Sequence, residues 1–471
     1  MTFHPQFALL TIALALNLLC TGCAKEKYVA KPIDPVQIST KLLNKDIASA
    51  DFKSYLIKQG YPTNDLPFSS WGLSELTYCA LYHHTKLDVA KAQLALANAQ
   101  INTAKTRQNP IIGGDIARSN QKNGDIKPWA LGLNVEIPIE TTNKRELRVE
   151  QAQYLADAAK LDVADAAWQL RAQIAKNLLR YHQNNALTAI LKNALATQTN
   201  IFTLLQKRFN LGALSNTDLS NAKLKLQQTQ IALTTEQNKL AEIRASLAAD
   251  VGLSVDKFSE VKLKPFNVDE TLANQNQILN TVDTVKNLQS DALLNRIDIR
   301  RSLAAYAAAE SKIKLEVAKQ TPDIALTPGF AFEFGDSIWS LGFSSLLSLL
   351  NKNQTLIAEA THLREIEGAQ FEALQAHIIA TLSQNLAAYQ SSNSNITSLN
   401  AQLGAQLQHT QKLQKQFEAG LIDRLDITQN QISTQAIEQQ LLAEKFNLLQ
   451  LNLAIEDVMQ KPIFETNKFY E

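Results

Sequence analysis

Two stretches 208 residues apart decide the fold: Lys207-Arg-Phe-Asn-Leu-Gly-Ala-Leu-Ser-Asn-Thr-Asp218 and Lys415-Gln-Phe-Glu-Ala-Gly-Leu-Ile-Asp-Arg-Leu-Asp426. Lys, Phe, Gly and Asp stand at matching positions in both. Similar offsets relate Asn109-Pro110 to Thr321-Pro322 and Leu131-Gly132 to Leu341-Gly342. A match of this length indicates one large structural unit that the chain uses twice.

Long helical patterns surround both stretches. The first runs from about Asn143 to Arg208 without proline or glycine, and Asn143 with Glu146 predicts a capping pair at its start. Such a helix is about 100 Å long at 1.5 Å per residue. A spacing of seven residues predicts a coiled-coil seam, which consists of Leu147, Tyr154, Leu161, Trp168 and Ala175.

A glycine ends each long helix. Gly212 predicts a turn into a return helix from about Ser215 to Asp250, and Gly420 predicts the same after a helix from about Asn353 to Glu418. Shorter helices are predicted before Pro110 and before Pro322, where each unit begins. Each unit therefore contains two long antiparallel helices that meet at a glycine turn.

Alternating residues between the helices predict strands. Apolar side chains occupy every second position from Trp129 to Ile139 and again from Ile324 to Phe334, and a similar strand begins near Trp339. Residues 111–119 fit the period of two less well, because Gly113 and Gly114 interrupt it. A period of two indicates strands with one apolar face and one polar or small face.

These strands predict a membrane barrel built from several copies of the chain. Strands of about ten residues match the length of a tilted membrane-spanning strand. Four strands do not close a barrel, and an open edge is costly in lipid. Three copies would supply twelve strands, which lies within the size range of outer-membrane barrels. The alternative is a soluble α+β protein with half-buried hairpins.

Charge and the N-terminus restrict the class of protein. The chain has 46 basic and 45 acidic residues, a balance that argues against a nucleic-acid partner. Residues 1–22 read as an export signal with an apolar run from Ala8 to Leu19. The small pair before Cys23 predicts a lipoprotein signal, in which Cys23 carries the lipid anchor. A cleavable signal with an incidental cysteine is the alternative.

The sequence predicts six segments. A tether with one short helix, residues 23–70, follows the signal at 1–22. Residues 71–250 form the first repeat, 251–290 a linker, 291–460 the second repeat, and 461–471 a C-terminal tail. The predicted fold class is mainly α with membrane β, in which long helices form a coiled-coil barrel and four strands per protomer complete a trimeric barrel of twelve strands.

The chain resembles the TolC family of bacterial outer-membrane efflux proteins. The resemblance rests on the proline junctions at Pro110 and Pro322, the stretch Arg296-Ile-Asp-Ile-Arg300, the passage Ile137-Pro-Ile-Glu-Thr-Thr-Asn-Lys-Arg145, and the two Phe-x-x-Gly turns. It implies a homotrimer that crosses the outer membrane, extends through the periplasm, and works with a periplasmic adaptor protein and an inner-membrane efflux pump. The signal at Cys23 places the chain nearer the lipid-anchored members. The passages Ile137 to Arg145 and Leu349 to Gln354 resemble those of members that export heavy metals.

The same resemblance assigns candidate roles to several residues. Asp426 matches an aspartate at the periplasmic aperture, and Asp218 and Asp423 are further candidates there. Three-fold symmetry would gather these carboxylates around one axis, where they attract cations. The alternative role is helix capping, because Asp423 has the position of an N-cap and Asp426 lies in the first turn.

Two further sets complete the candidate sites. The adaptor-contacting hairpin tips are assigned to Phe209, Gly212, Phe417 and Gly420. The aromatic girdle at the membrane surface is assigned to Trp129 and Trp339, with buried packing as the alternative.

The sequence favours a passive exit duct for small toxic solutes, drugs or metal ions. It contains no phosphate loop, nucleophile motif or metal-spaced cysteine pair, so no enzyme activity and no cofactor are predicted. The alternative function is a periplasmic adaptor or structural coiled-coil lipoprotein without a barrel.

Overall fold

The computed structural model describes residues 27–120, 128–279, 290, 292–333, 335–345 and 351–463. The chain divides into two units, residues 1–44 and 45–471. The first contains α1 (Pro35–Leu43), which Asp34 caps through its carboxylate. The second contains the helices α2 (Ala50–Lys58), α3 (Leu73–His83), α4 (Thr85–Lys105), α5 (Lys144–Asn210), α6 (Asn216–Val251), α7 (Val255–Ser259), α8 (Val268–Leu279), α9 (Ile297–Ala318), α10 (Gln354–Glu418) and α11 (Arg424–Met459), and the strands β1 (Ile111–Arg118), β2 (Trp129–Ile139), β3 (Ile324–Glu333) and β4 (Asp336–Ser345).

The two long helices confirm the helical prediction. α5 has 67 residues and α10 has 65, so each is about 100 Å long. Trp168 and Ala175 of the predicted seam are buried, and the other three seam residues are half-buried. α5 packs against α4, α6, α9 and α11, and α10 packs against α9 and α11. Within the described residues, no helix combines the length and the apolar character needed to cross a bilayer.

The segment before the first repeat differs from its prediction as a tether with one short helix. α1 and α2 both form, followed by a 3₁₀ turn at Thr63–Asp65. Ser49 caps α2, and Phe52 and Leu56 are almost fully buried in a core that also contains Trp71 and Leu247. The packed unit therefore begins near residue 45. The apolar face of α2 packs into this core although prolines occur on both sides of the helix.

The start of α5 also differs from its prediction. The helix begins directly after Asn143, but the Asn143 side chain makes no capping hydrogen bond. Its backbone lies in the left-handed region with φ of 55°, and Asn353 before α10 has the same value. Asparagine tolerates this conformation better than most residues, so it turns the chain sharply rather than capping the helix. Glu146 instead pairs with Arg145.

A second core joins the two repeats. Phe446, Leu448 and Ile455 of α11 pack with Ile378 and Leu382 of α10, and Leu179 of α5 belongs to the same cluster. Polar contacts fix α5 against α11 nearby, where the buried Arg171 guanidinium lies 3.3 Å from Glu456. The Trp168 indole donates to Asp457 at 2.9 Å. These contacts join the long helices of the two repeats.

The four strands form one antiparallel sheet in the order β1-β2-β3-β4. β2 and β3 belong to different repeats, and their register places Leu133 opposite Phe330 and Ile139 opposite Ile324. The sheet therefore unites the repeats. β1 and β3 begin, and β2 and β4 end, at the same end of the sheet. In the sequence, α4, α5, α9 and α10 adjoin the strands at these four positions.

Candidate functional site: a one-sided sheet and two hairpin tips

One face of the sheet is apolar and exposed. Trp339, Leu341 and Phe343 of β4 are 82%, 73% and 81% exposed. The register places them beside the apolar residues of the other strands, which are Ile112, Ile116, Leu131, Leu133, Val135, Ile137, Ile139, Ile324, Leu326, Phe330 and Phe332. A continuous apolar surface of this kind requires an apolar environment.

The opposite face carries mainly polar and small residues, with Ile111 and Ile338 as apolar exceptions, and two of its polar side chains face glycines. Asp115 lies opposite Gly132 and Asn134 opposite Gly113. A Cβ added at Gly132 would lie 2.2 Å from Asp115 Oδ1, and one at Gly113 would lie 2.3 Å from Asn134 Oδ1. These glycines therefore let the polar side chains lie flat across the neighbouring strand. A face with this composition suits contact with water.

The two outer strands each present one edge with no neighbouring strand within the described chain. β1 pairs only with β2, and β4 only with β3. Unpaired backbone groups at an edge cost several kcal/mol each in hydrocarbon, on the order of the loss of a hydrogen bond. The geometry is complete only when strands from other copies pair with both edges.

Both tryptophans predicted for the girdle lie on the apolar face. Trp129 is the first residue of β2, next to the loop from β1, and Arg118 stacks over its ring at 5.3 Å. Trp339 lies three residues after the start of β4 and contacts Phe330, with 4.8 Å between ring centroids. Their exposure argues against the alternative of buried packing. The girdle role itself stays a prediction.

The two hairpin tips have the same backbone geometry. Gly212 and Gly420 have φ of 71° and 73°. After each glycine, the next amide donates to a carbonyl five residues back, from Ala213 to Arg208 and from Leu421 to Gln416. This is a Schellman ending, in which a glycine takes the left-handed position. The sequence prediction of two equivalent turns agrees with this geometry.

The predicted aperture residues lie at these tips as exposed caps. Asp423 Oδ1 accepts from the amides of Leu425 and Asp426, and Asp426 Oδ2 accepts from the Asp423 amide at 3.1 Å. In the other hairpin, Ser215 Oγ accepts from the Asp218 amide and donates to Asp218 Oδ2 at 2.6 Å. The capping alternative is therefore present in the structure, and an aperture role remains compatible with it.

An ion pair joins the two tips. The Arg208 guanidinium of the first hairpin contacts the Asp423 carboxylate of the second. Partial burial raises the pKa of Asp423, but hydrogen bonds from Arg208 and from two backbone amides outweigh it, so the pKa lies below its usual 3.8. Asp423 therefore carries its charge at neutral pH, and its ion pair with Arg208 links the two hairpins at their ends.

Sequence reasoning missed three tip residues. Arg208 lies inside the quoted repeat, but its partner is 215 residues away, and no local pattern identifies it. Leu211 and Leu421 flank the turn glycines and are 83% and 74% exposed, whereas Phe209 is half-buried. A leucine next to a turn glycine was a signal available in the sequence, because such a side chain has little to pack against.

A buried lysine joins the strand-to-helix passage of the first repeat to the second repeat. Lys144 is 5% exposed, and its Nζ lies 2.7 Å from Asp323 Oδ1 and 2.6 Å from the Thr321 carbonyl. The Thr141 amide donates to the same carboxylate oxygen at 2.9 Å. This cluster fixes the end of β2 against the start of β3.

Two remaining candidates are the histidines and the predicted lipid site. In the described part of the chain, no three His, Cys, Asp or Glu side chains are grouped to hold a metal ion. Burial and the nearby Lys45 lower the pKa of His83 to about 4, despite an opposing effect of Asp46. Cys23 lies outside the described residues, so its acylation stays a prediction.

Comparison with known proteins agrees with this architecture. Residues 76–253 match the family described as Outer membrane efflux protein. No curated protein sequence matches the chain.

Several solved structures share the fold. The outer membrane protein VceC from Vibrio cholerae aligns with a TM-score of 0.64 and 18% identity, over 83% of this chain and 97% of VceC. CusC, whose crystal structures are described together with transmembrane channel formation, aligns with a TM-score of 0.65 and 17% identity, over 84% of this chain and 93% of CusC. The outer-membrane channel OprN aligns with a TM-score of 0.67 and 17% identity, over 94% of this chain and 100% of OprN.

Proposed function

We propose that this chain, a relative of the outer membrane efflux proteins through residues 76–253, is the outer-membrane channel subunit of an efflux system. It acts as a passive exit duct for small toxic solutes and not as an enzyme. The observation that carries the proposal is the exposed apolar face of the sheet, because it continues from β1 to β4 and leaves two edges for strands of other copies.

The duct is completed by two further copies of the chain. A homotrimer would pair β4 of one copy with β1 of the next and satisfy every strand edge. The polar face then lines the lumen and the apolar face meets lipid. α5 and α10 give each copy helices of about 100 Å, which extend the duct into the periplasm.

The hairpin tips are the proposed contact for a periplasmic adaptor, which links the duct to an inner-membrane pump. Phe209, Gly212, Phe417 and Gly420 form the turns, and the exposed Leu211 and Leu421 support this role because they present apolar side chains to a partner. Asp426, Asp218 and Asp423 would line the aperture. The ion pair between Arg208 and Asp423 would hold it closed within one subunit.

Membrane attachment through Cys23 is a separate part of the proposal. The apolar run of residues 8–19 and the small pair before Cys23 support acylation. Mass determination of the mature N-terminus tests it. A mature chain that begins elsewhere would remove the lipid anchor without affecting the duct.

The cargo is a drug-like solute or a metal ion. The resemblance of the strand-to-helix passages to heavy-metal members supports the metal ion. Efflux assays with each cargo class in a strain that lacks the protein decide between them.

The decisive experiment is reconstitution of the detergent-extracted, full-length protein into a planar bilayer. A duct gives discrete conductance steps from a trimeric preparation. The alternative, a periplasmic adaptor or structural coiled-coil lipoprotein, gives a water-soluble protein after removal of its lipid and no conductance. The continuous apolar face argues against that alternative, since such a protein would expose it to water.

A further inference from the structure

Basic side chains gather at the end of the sheet where the strands connect to the helices. Most of them have a carboxylate partner. Lys144 pairs with Asp323, Arg148 with Glu140 and Lys319 with Glu316, and Arg145 pairs with Glu146. All of these residues lie beside β2 and β3 or in the helices next to them. Their positive and negative charges therefore cancel in the central part of the protomer.

Three basic side chains at the outer strands differ. Lys105 and Arg107 precede β1, and Lys352 follows β4; all three are exposed. Among the described residues, none of the ion pairs includes any of them. The uncompensated charge of the protomer at this level therefore lies at its two edges.

The three residues lie close to the ends of the strands. Arg107 is four residues before Ile111, a distance of at most about 14 Å along an extended chain. The Lys352 carbonyl accepts from Gln320 Nε2 at 2.9 Å, which places it beside the end of α9, four residues before β3. The headgroup layer is about 5–7 Å thick on each side of the hydrocarbon, so long basic side chains reach it from these positions.

Local structure accounts for only one of these three charges. Lys105 lies in the last turn of α4, where a cation favours the helix dipole. Arg107 lies beyond that helix, and Lys352 stands just before the N-terminus of α10, where a positive charge is unfavourable. Arg107 and Lys352 therefore have neither an ion pair nor a favourable helix end within the described part of the protomer, so their charge is available to a partner.

We infer that Lys105, Arg107 and Lys352 form a binding surface for the anionic headgroups of phospholipids in the periplasmic leaflet. The inference rests on the proposed function, because it requires the apolar face to stand in a membrane. When β4 of one copy pairs with β1 of the next, Lys352 comes beside Lys105 and Arg107 of that neighbour. An anionic lipid then binds at each interface between subunits. Its phosphate lies at the level of these basic side chains, on the periplasmic side of the apolar face.

The test measures lipid retention by the full-length, detergent-purified protein with native mass spectrometry. Phosphatidylglycerol and phosphatidylcholine with identical acyl chains are the two probes. The wild-type protein retains phosphatidylglycerol preferentially, and added salt weakens the preference. In the variant K105Q/R107Q/K352Q the preference falls by about fivefold for each charge removed.

A matched variant, K192Q/K223Q/K225Q, removes the same charge from exposed positions on α5 and α6 and keeps the preference. Equal loss in both variants would show a general charge effect and overturn the inference. Equal retention of both lipids by the wild-type protein would also overturn it, as would displacement of phosphatidylglycerol by the same concentration of soluble glycerol phosphate.

The same preparation is tested for conductance in a planar bilayer, which separates the two proposals. A protein that conducts but shows no preference between the lipids refutes only the lipid surface. A protein that never enters the bilayer refutes the proposed function as well.

Discussion

Asp323 collects the hydrogen bonds that hold the two repeats together beside the sheet. Its Oδ1 accepts from the Lys144 ammonium and from the Thr141 amide, while Lys144 is almost fully buried. A buried ammonium depends strongly on its acceptors, because water does not replace them. This single carboxylate therefore stabilises a junction between residues 179 positions apart in the sequence.

Replacement of Asp323 by Ala is expected to destabilise the protein by about 1–3 kcal/mol, because it removes one acceptor from a buried ammonium and leaves only the Thr321 carbonyl. Thermal unfolding of the detergent-solubilised protein measures the effect. Glu359→Ala is the matched control, since Glu359 is exposed and lies 3.9 Å from Lys312; its expected cost is within about 0.5 kcal/mol. Equal costs for the two variants would contradict the role of Asp323.

The pair between Arg208 and Asp423 predicts a dependence of channel conductance on acid pH. The folded protein lowers the pKa of Asp423 below 3.8, so its stabilising contribution is present above that pH and is lost as the pH falls through the lowered pKa. Bilayer conductance of the wild-type protein is expected to rise in that range. Arg208→Gln is expected to conduct more at neutral pH and to lose this acid response. An unchanged acid response in the variant would exclude the pair as its cause.

These residue-level pairs were beyond the sequence analysis. Asp423 was identified as an N-cap from its position before a helical stretch, which is local information. Its contact with Arg208 depends on how two hairpins pack side by side. Lys144 stood inside a recognised strand-to-helix passage, but nothing near it in the sequence indicated Asp323 as its partner.

Among the elements, the helix hairpins depend on their glycines for backbone conformation and not for space. An added Cβ at Gly212 or at Gly420 meets nothing within 4 Å, yet both have φ near 70°. Strain at such positions costs about 1–2 kcal/mol per residue for an L-amino acid with a side chain. A side chain at either position therefore distorts the exposed tip and leaves the packed helices unchanged.

Gly212→Val and Gly420→Val are therefore expected to leave the trimer intact and to abolish transport, since the distorted tip no longer fits its partner. Native gel electrophoresis and an efflux assay measure the two properties. Gly404→Ala is the control: Gly404 lies within α10 with nothing near its Cβ position, and alanine stabilises a helix interior by about 1 kcal/mol. Normal efflux by the valine variants would refute the prediction.

The sequence located most elements because they are long. α5, α6 and α10 begin and end within about two residues of the predicted positions, since their patterns continue over many turns. One short helix was predicted where α1 and α2 both form, because each has only nine residues, too few to establish a period. Asn143 was predicted to cap α5 because asparagine is common both at N-caps and in the left-handed conformation. The sequence alone does not distinguish these two roles.

At the scale of the whole molecule, burial of titratable groups predicts how the protein responds to acid. His182 stacks on Phe266 with 4.6 Å between ring centroids, and burial lowers its pKa from 6.5 to about 4. The unfolded chain therefore binds a proton more readily than the folded one between these values. Stability is expected to fall as the pH drops from 6.5 toward 4.

His182→Phe keeps an aromatic ring on Phe266 and removes the titration. At pH 5 the wild-type protein is expected to lose about 1–2 kcal/mol more than the variant, relative to pH 7. Denaturation midpoints at the two pH values measure the difference. His83 has a similarly lowered pKa and leaves a residual acid sensitivity in the variant. Identical losses in both proteins would contradict the role of His182.

The arrangement of the whole sheet followed from the sequence only in part. Alternation predicted four strands and their two-sided character, because each strand carries its own pattern. The order of the strands and the pairing of β2 with β3 depend on how the repeats pack, which alternation does not encode. The trimeric form follows only from the number of strands that a closed barrel needs, and it stays a prediction.

The pairing of β2 with β3 also bears on how such a chain arises. If each repeat descends from a shorter ancestor that assembled from identical subunits, gene fusion turned a contact between polypeptides into one within a polypeptide. Identical half-chains carry a given ionic link at every junction or at none. In this chain Gln416 and Ser215 occupy the positions equivalent to Arg208 and Asp423, so the link exists once. Fusion thus allows helix-hairpin junctions with the ionic link to alternate with junctions that lack it and can separate.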